Sequence, residues 1–286
     1  MKVKGILFVV VVLVFAAGLA IAADKPAAAA PTSTVAPQES KLGVTLDVAY
    51  VTRFIWRGFD MYPEHHSAIQ PAIDLDLWGS GFGVSAYYSR ANSSGFENCA
   101  WLPGTLYYYN ALFKDEPYQT NFKVGWTYYN YPSRSYRDAD LQEIFGGFAW
   151  PKLLPGLSLV PRYTAVRMWP AHHGSQVSDI GGWAHIFGLD YGLALPAVMP
   201  NTTEQIINLS AETVYNDGVG PGCASAGFSP GMVDHDWSHA VFGISSSFEV
   251  SKNLFFTPGF YYQSSWDDSV NPSDEHWVSL KMTYKF

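Results

Sequence analysis

The chain has 286 residues, of which 15% are charged and 16% are aromatic, and its formal net charge at pH 7 is −8. Globular domains carry roughly 25% charged residues, so the composition indicates a protein with a large apolar surface. The negative balance excludes a nucleic-acid-binding protein, which needs a basic face. No feature of the sequence indicates a cofactor.

The N-terminus is typical of an exported protein. Lys2 and Lys4 precede an apolar segment, residues 6–19, and Ala20-Ile21-Ala22 is a small-residue cleavage site, so we predict a secretory signal peptide over residues 1–22. Residues 23–42 are rich in Ala, Pro, Ser and Thr and are predicted to be a disordered periplasmic leader. No later segment is apolar and long enough for a membrane helix.

Residues 43–286 contain segments in which apolar and polar residues alternate, the pattern of β-strands with two different faces. In the first segment, Val44, Leu46, Val48, Tyr50, Phe54 and Trp56 are predicted to share one face. The twelve predicted strands are 44–57, 68–78, 82–89, 104–113, 119–130, 140–149, 157–168, 181–194, 205–216, 238–250, 254–266 and 275–286. An even number is the rule for single-chain bacterial outer-membrane barrels.

The connections between these strands alternate in length. One set is mostly short: 79–81, 114–118, 150–156, 251–253 and the longer 195–204. The other set is longer and more polar: 58–67, 91–103, 131–138, 169–180, 217–237 and 267–274. Short periplasmic turns and long extracellular loops are the expected asymmetry of an outer-membrane barrel.

The last strand, His276 to Phe286, alternates strictly and ends on an aromatic residue. It resembles the closing strand of bacterial outer-membrane barrels, and Phe286 resembles the signal that the barrel assembly machinery reads. We therefore predict an all-β fold, a transmembrane antiparallel barrel of about 12 strands over residues 43–286, in the bacterial outer membrane. Its expected partners are membrane lipid and, during biogenesis, the assembly machinery and periplasmic chaperones. The alternative fold is a soluble, aromatic-rich periplasmic β-sandwich.

Three segments near the start of the barrel resemble the TorF-type porin family. They are residues 50–59 (YVTRFIWRGF), with an aromatic-Arg-Gly step, residues 70–75 (QPAIDL) and residues 81–89 (GFGVSAYYS). The resemblance implies a channel and does not imply a particular substrate, because fold alone does not fix function.

The inward face of the predicted strands carries both signs of charge, which would set the ion preference of a pore. The predicted pore-lining residues are Asp47, Arg53, Arg57, Asp74, Asp76, Lys123, Glu143, Arg162, Asp190, Glu212, Glu249 and Lys281. Arg53 and Arg57 are the first candidates for a constriction. Tyr87, Tyr129 and Tyr261 are also predicted to face inward, where tyrosine rings stack on sugars or nucleosides. Alternatively, the charged groups pair with one another and plug the barrel.

Histidines and cysteines collect in the predicted loops. The candidate metal ligands, for Zn, Cu or Ni, are His65, His66, His172, His173 and His235, although no spacing among them is diagnostic. Cys99 and Cys223 lie in the second and fifth long loops, and in an exported protein two cysteines favour a disulfide.

Two enzymatic hypotheses, an outer-membrane protease and an outer-membrane phospholipase, are less favoured alternatives because of geometry. For a protease, Asp74 and Asp76 belong to the periplasmic half of a strand and His235 to an extracellular loop, so these groups cannot share a water molecule. The adjacent pairs His66-Ser67 and Ser238-His239 point to opposite faces if they lie on strands. We therefore predict a non-enzymatic channel for passive diffusion of small hydrophilic solutes or ions. The alternative is a structural barrel whose loops bind a partner or a metal.

Overall fold

The structure is a computed structural model that describes residues 41–196, 204–223 and 233–286. The predicted signal peptide and most of the predicted leader lie outside the described residues. Among the described residues, no helix is long and apolar enough to cross a membrane. The strands are β1 (Gly43–Val51), β2 (Ile55–Trp56), β3 (Phe59–Asp60), β4 (Ala68–Asp76), β5 (Phe82–Tyr87), β6 (Arg90–Ala91), β7 (Leu102–Leu112), β8 (Thr120–Asn130), β9 (Leu141–Ala149), β10 (Leu159–Pro170), β11 (Gly182–Pro196), β12 (Glu204–Asp217), β13 (His235–Ser246), β14 (Phe248–Ser251), β15 (Leu254–Ser265) and β16 (Glu275–Lys285). A 3₁₀ turn covers Glu97–Cys99 and a one-turn helix covers Tyr136–Ala139.

Twelve of these strands form a closed antiparallel barrel. Around the ring they run β1, β4, β5, β7, β8, β9, β10, β11, β12, β13, β15 and β16, and β16 pairs back onto β1. The closing seam runs from Thr45 opposite Lys285 to Val51 opposite Ser279. The predicted fold class is confirmed, and a closed ring pairs every strand on both sides, as lipid requires.

The first predicted strand is wrong in its second half. β1 ends at Val51, and the chain then leaves the wall and turns inward as the two-stranded hairpin β2–β3. Arg57 (φ 49°) and Gly58 (φ 92°) both have positive φ, which is the geometry of a tight hairpin turn with its strongest preference for glycine. Phe54, predicted to lie on the outer face of the strand, is therefore buried inside the barrel.

The outer face of the ring is a band of exposed apolar side chains. The band includes Leu46, Val48, Ile73, Leu106, Val124, Ile144, Phe187, Ile244, Phe260 and Leu280, each between 38% and 51% exposed. A closed barrel with such a band is stable only where lipid covers it. The protein therefore lies in the bacterial outer membrane, as the sequence predicts.

Six long loops lie at one end of the barrel, the long-loop end, and shorter turns lie at the other, the short-turn end. The loops are L1 (52–67), L2 (88–101), L3 (131–140), L4 (171–181), L5 (218–234) and L6 (266–274). The long-loop end is the extracellular end by the general asymmetry of these barrels. The structure describes residues 218–223 and 233–234 of L5.

Replacing Leu280 with Arg should destabilise the barrel by about 2–4 kcal/mol, because Leu280 is 40% exposed in the middle of the lipid-facing side of β16. Lys281→Gln, one residue along and on the inner face, should leave stability nearly unchanged. Reversible unfolding in denaturant from phospholipid vesicles measures both. Equal losses in the two variants would mean that the inner and outer faces of β16 are assigned wrongly.

Candidate functional site

The interior of the long-loop half of the barrel is occupied by L1. We call residues 52–67 the plug hairpin. Phe59, Met61 and Tyr62 within it are 2%, 0% and 0% exposed, although loop residues at a barrel mouth are normally wet. The hairpin contacts β9 on one side of the ring and β15 and β16 on the other, so it crosses the lumen.

The Arg57–Glu143 ion pair anchors the tip of the plug hairpin to β9. The guanidinium Nη1 lies 2.8 Å from a Glu143 carboxylate oxygen, and the side chains are only 14% and 4% exposed. Burial is the largest single influence on the pKa of Arg57 and lowers it, but the charge and hydrogen bond of Glu143, together with the nearby Tyr129 and Tyr87, outweigh burial and raise that pKa above its ordinary value. Arg57 therefore stays charged and depends on Glu143 for compensation.

The turn of the plug hairpin is held from the other side of the ring. The Gly58 carbonyl accepts hydrogen bonds from Gln263 Nε2 on β15 (2.9 Å) and Asn271 Nδ2 in L6 (3.2 Å). A Cβ at position 58 would lie 2.6 Å from His239 Nδ1 and 2.7 Å from Val270. Glycine is therefore needed here both for its backbone conformation and for this close approach.

A second ion pair, between Arg53 and Glu275, fixes the first half of the plug hairpin to the start of β16. Both side chains are buried, at 10% and 7% exposure, and Arg53 also donates to His65 Nε2 at 3.2 Å. Arg53 and Arg57, predicted to line a constriction from strand one, thus lie in the hairpin that fills the lumen.

An aromatic cluster surrounds the plug hairpin. The ring of Trp101, 0% exposed, lies 5.6 Å from Phe54, 5.1 Å from Trp56 and 5.2 Å from Tyr129, with which it is stacked. Tyr62 donates to the Cys99 carbonyl at 3.3 Å, and burial raises the pKa of Tyr62 to about 12. These contacts make the long-loop half of the interior a packed hydrophobic core instead of an open channel.

L2, L3 and L5 are joined above this core. Cys99 and Cys223 form a disulfide with Cα atoms 5.3 Å apart, and both residues are buried. The Gly222 N–H donates to Tyr131 Oη (2.7 Å) and the Gly222 carbonyl accepts from Arg134 Nη1 (3.0 Å). L5 is therefore attached to two other loops at the residues adjoining the disulfide.

The short-turn half of the interior is polar and in contact with water. On β4, Asp74 and Asp76 accept hydrogen bonds of 2.8 Å from Tyr107 and Tyr109 of β7. Lys123 of β8 lies 3.6 Å above the Tyr107 ring and is exposed. This wall thus combines carboxylates, phenols and an ammonium group.

A triad of charges occupies the wall formed by β10, β11 and β12. Arg162 lies 2.8 Å from Asp190 and 3.2 Å from Glu212. Side-chain exposures of 30%, 39% and 31% contrast with the 14% and 4% of Arg57 and Glu143. The lumen is therefore accessible to solvent at this level and closed to solvent at the level of the plug hairpin.

The remaining predicted wall residues lie as follows. Asp47 on β1 accepts a hydrogen bond from Thr283 on β16. Lys281 shares the inner face of β16 with Thr283, and Glu249 is exposed on β14 at the short-turn rim. Phe286 is 71% exposed, and its N–H donates to the Val44 carbonyl at 3.0 Å. Its role as an assembly signal stays a prediction.

The three tyrosines predicted to face the lumen differ in their surroundings. Tyr129 belongs to the buried cluster and Tyr87 packs against it, with its ring 6.0 Å from Trp101. Tyr261 stacks on Trp277 with a centroid distance of 5.3 Å and an interplanar angle of 15°. Trp277 shares the inner face of β16 with Lys281, so Tyr261 and Trp277 are an aromatic pair on the inner wall.

The histidines predicted as metal ligands are not gathered at one site. His65 bonds to Arg53, His66 to Ser93 (2.7 Å), His172 to the His173 carbonyl (2.7 Å), and His235 to Asp217. In the described part of the chain, no three His, Cys, Asp or Glu side chains come together as ligands of one ion. Ser238 and His239 lie on β13 and their side chains hydrogen bond to each other at 2.9 Å, so the prediction that they point to opposite faces is wrong. The register between β12 and β13 shifts at this point and leaves Ser238 out of the pairing, and both side chains are buried.

The sequence pattern does not predict the plug hairpin or its partners Glu275, Gln263 and Asn271. The alternation continues past Val51 to Arg57, so it does not mark the point where the chain leaves the wall. The sequence signal that does indicate burial of this loop is the presence of the apolar residues Met61 and Tyr62, which a solvated loop would expose to water.

Glu143→Gln should destabilise the plug by about 3–5 kcal/mol, because it leaves the Arg57 charge buried without a partner. Replacing both residues with methionine should recover most of this loss. Amide hydrogen exchange of Met61 and Tyr62 measures the local effect, and denaturant unfolding measures the global one. If the single and double variants exchange alike, the ion pair does not hold the hairpin.

Comparisons with known proteins give fold-level similarity alone. No family model matches the chain and no curated protein matches it, so membership of the TorF-type family stays a prediction. Among solved structures, the KdgM porin has a TM-score of 0.48 and 10% identity, over 85% of this chain and 99% of that one. The NanC porin has a TM-score of 0.46 and 11% identity, over 84% and 100%. The COG4313 outer membrane channel from Pseudomonas putida F1 has a TM-score of 0.41 and 10% identity, over 85% and 96%. The chain itself forms a closed antiparallel barrel with an apolar outer face.

Proposed function

We propose that this protein is an outer-membrane channel for passive diffusion of small hydrophilic solutes or ions, and that the plug hairpin closes it. The observation that carries the proposal is the difference in solvent exposure between charged side chains at two levels of the lumen. Arg162, Asp190 and Glu212 are partly exposed on the inner wall, whereas Arg57 at the tip of the hairpin and its partner Glu143 on β9 are buried. A charged, wet wall has no packing role, but it suits passage of polar solutes.

The way the plug is held also supports a gate. After Thr52, which hydrogen bonds to Val278 of β16, the described polar contacts of the hairpin with wall strands are two ion pairs and the hydrogen bond from Gln263 to the Gly58 carbonyl. Its other hydrogen bonds go to loop residues, among them Cys99 and Ser93 of L2 and Asn271 of L6. Among the described strands, none of the wall pairs with β2 or β3, which form a sheet of their own. The hairpin can therefore move without breaking the ladder that holds the barrel closed.

A non-conducting barrel whose loops bind a partner is the alternative function, and the packed core under L1 and L2 is the observation that favours it. Such a barrel would have no need of half-exposed charges such as Asp190 deep in the wall. The enzymatic alternative is weaker, because the adjacent Ser238 and His239 are buried away from substrate.

Single-channel recording in planar bilayers tests the proposal. The mature protein should give small or rare conductance steps, and a variant with residues 53–66 replaced by a Gly-Ser linker should give larger and longer ones, because the lumen is then unobstructed. Heat-modifiable gel mobility establishes that each variant is folded. Glu143→Gln serves as a second, milder opening variant. Folded variants that insert and never conduct would support the loop-binding alternative.

Ion preference should respond to the charges of the wet wall. In a salt gradient, Arg162→Gln should shift the reversal potential of the hairpin-replaced channel towards cations, because Asp190 and Glu212 lose their counter-charge. Lys281→Gln should shift it less, since one charge is lost without freeing a carboxylate pair. Lys152→Gln, in a short turn outside the wall, is the matched control. Equal shifts in all three would place the solute path elsewhere.

A further inference from the structure

Two open clefts flank L6 at the long-loop end. The first cleft, of about 530 Å³, lies between L1 and L6. The second, of about 220 Å³, lies between L6 and the residues at the start of β13, Asp234 and Asp236. Asp268 and Ser269 line both, so the clefts adjoin. L6 is held in place by Ser238, whose carbonyl accepts from the Trp266 and Asp267 N–H groups at 2.9 and 3.2 Å.

The lining of the clefts is strongly acidic. The carboxylates are Asp60, Glu64, Asp234, Asp236, Asp267, Asp268, Asp274 and Glu275. Among the lining residues Arg53 is the one arginine and there is no lysine, and Arg53 is already paired with Glu275. The clefts therefore carry a large excess of negative charge that their own walls do not neutralise.

Asp267 distinguishes this region from an ordinary solvated acidic surface. It lines the second cleft and is 7% exposed. Its Oδ1 accepts from the Ser269 N–H at 2.8 Å, whereas its buried Oδ2 has no hydrogen-bond partner among the described residues. A buried carboxylate oxygen without a donor is costly, so a cation that supplies one gains more here than at an exposed acid.

We propose that the two clefts bind an organic polycation of the linear polyamine class, and that such cations are solutes of the channel. This inference rests on the proposed function and adds its substrate class. The carboxylates follow both clefts around Asp268 instead of converging, in the described residues, as ligands of one metal ion. A chain of ammonium groups spaced several bonds apart matches that distribution, with charge-assisted hydrogen bonds to successive carboxylates.

Titration calorimetry of the refolded mature protein with spermidine tests the site. The wild type should bind, and Asp267→Asn with Asp268→Asn should weaken binding at least tenfold. Glu97→Gln with Asp138→Asn removes two acids from L2 and L3, outside the clefts, and should weaken it threefold or less. Asp234→Asn with Asp236→Asn replaces the first pair if that pair does not fold.

The other outcomes overturn either the binding site or the channel, and they are distinguishable. Equal losses in the cleft and control variants would mean diffuse attraction to an acidic surface. Binding of Ca²⁺ with no binding of spermidine would mean a metal or a metal-bridged lipid phosphate. Absence of spermidine binding by a protein that conducts would remove the substrate class and leave the channel standing. Because calorimetry does not require an open pore, spermidine binding by a barrel that never conducts would overturn the channel alone.

Discussion

The pairing of β1 with β16 is the constraint on which the rest of this structure depends. It closes the ring, so that no strand edge is left to lipid, and it fixes the register from Thr45–Lys285 to Val51–Ser279. Side chains alternate along a strand, so a shift of one residue in this register would exchange the two faces of β16. In the observed register Leu280 faces lipid and Lys281 faces the lumen. The closed ring also creates the enclosed volume in which a buried hairpin becomes possible.

Within that volume, polar contacts hold the plug hairpin and apolar contacts fill the space around it. Trp101 and Tyr62 supply a dry environment, and in it Arg57 and Arg53 would be intolerable without Glu143 and Glu275. Buried ion pairs often add little net stability compared with apolar residues, but they require the two charged groups to lie in one specific geometry. The arrangement specifies where the hairpin sits while leaving it outside the hydrogen-bonded wall.

The sequence predicts the wall far better than the interior. Alternation places all twelve barrel strands, and most observed ends agree with the predicted ones to within three residues, because one face of each strand must be apolar for lipid. It fails at Phe54 and Trp56, which continue the period of β1 after the chain has left the wall. The contacts of Arg53 with Glu275 and of Gly58 with Gln263 join residues more than 200 positions apart, and no local pattern specifies them.

The plug hairpin also forms one wall of the first acidic cleft, so the same segment closes the lumen and lines the cleft. Arg53, Asp60 and Glu64 line the first cleft, while Arg57, a few residues along the same hairpin, is anchored to β9 inside the lumen. Under the two proposals, a cation bound among Asp60, Glu64 and Glu275 would compete with Arg53 for its carboxylate partner. Binding in the first cleft and release of the hairpin would then be coupled equilibria, and each would favour the other by the same free energy. A cationic solute attracted to the acidic clefts would on that basis weaken the Arg53–Glu275 contact that helps to hold the channel closed.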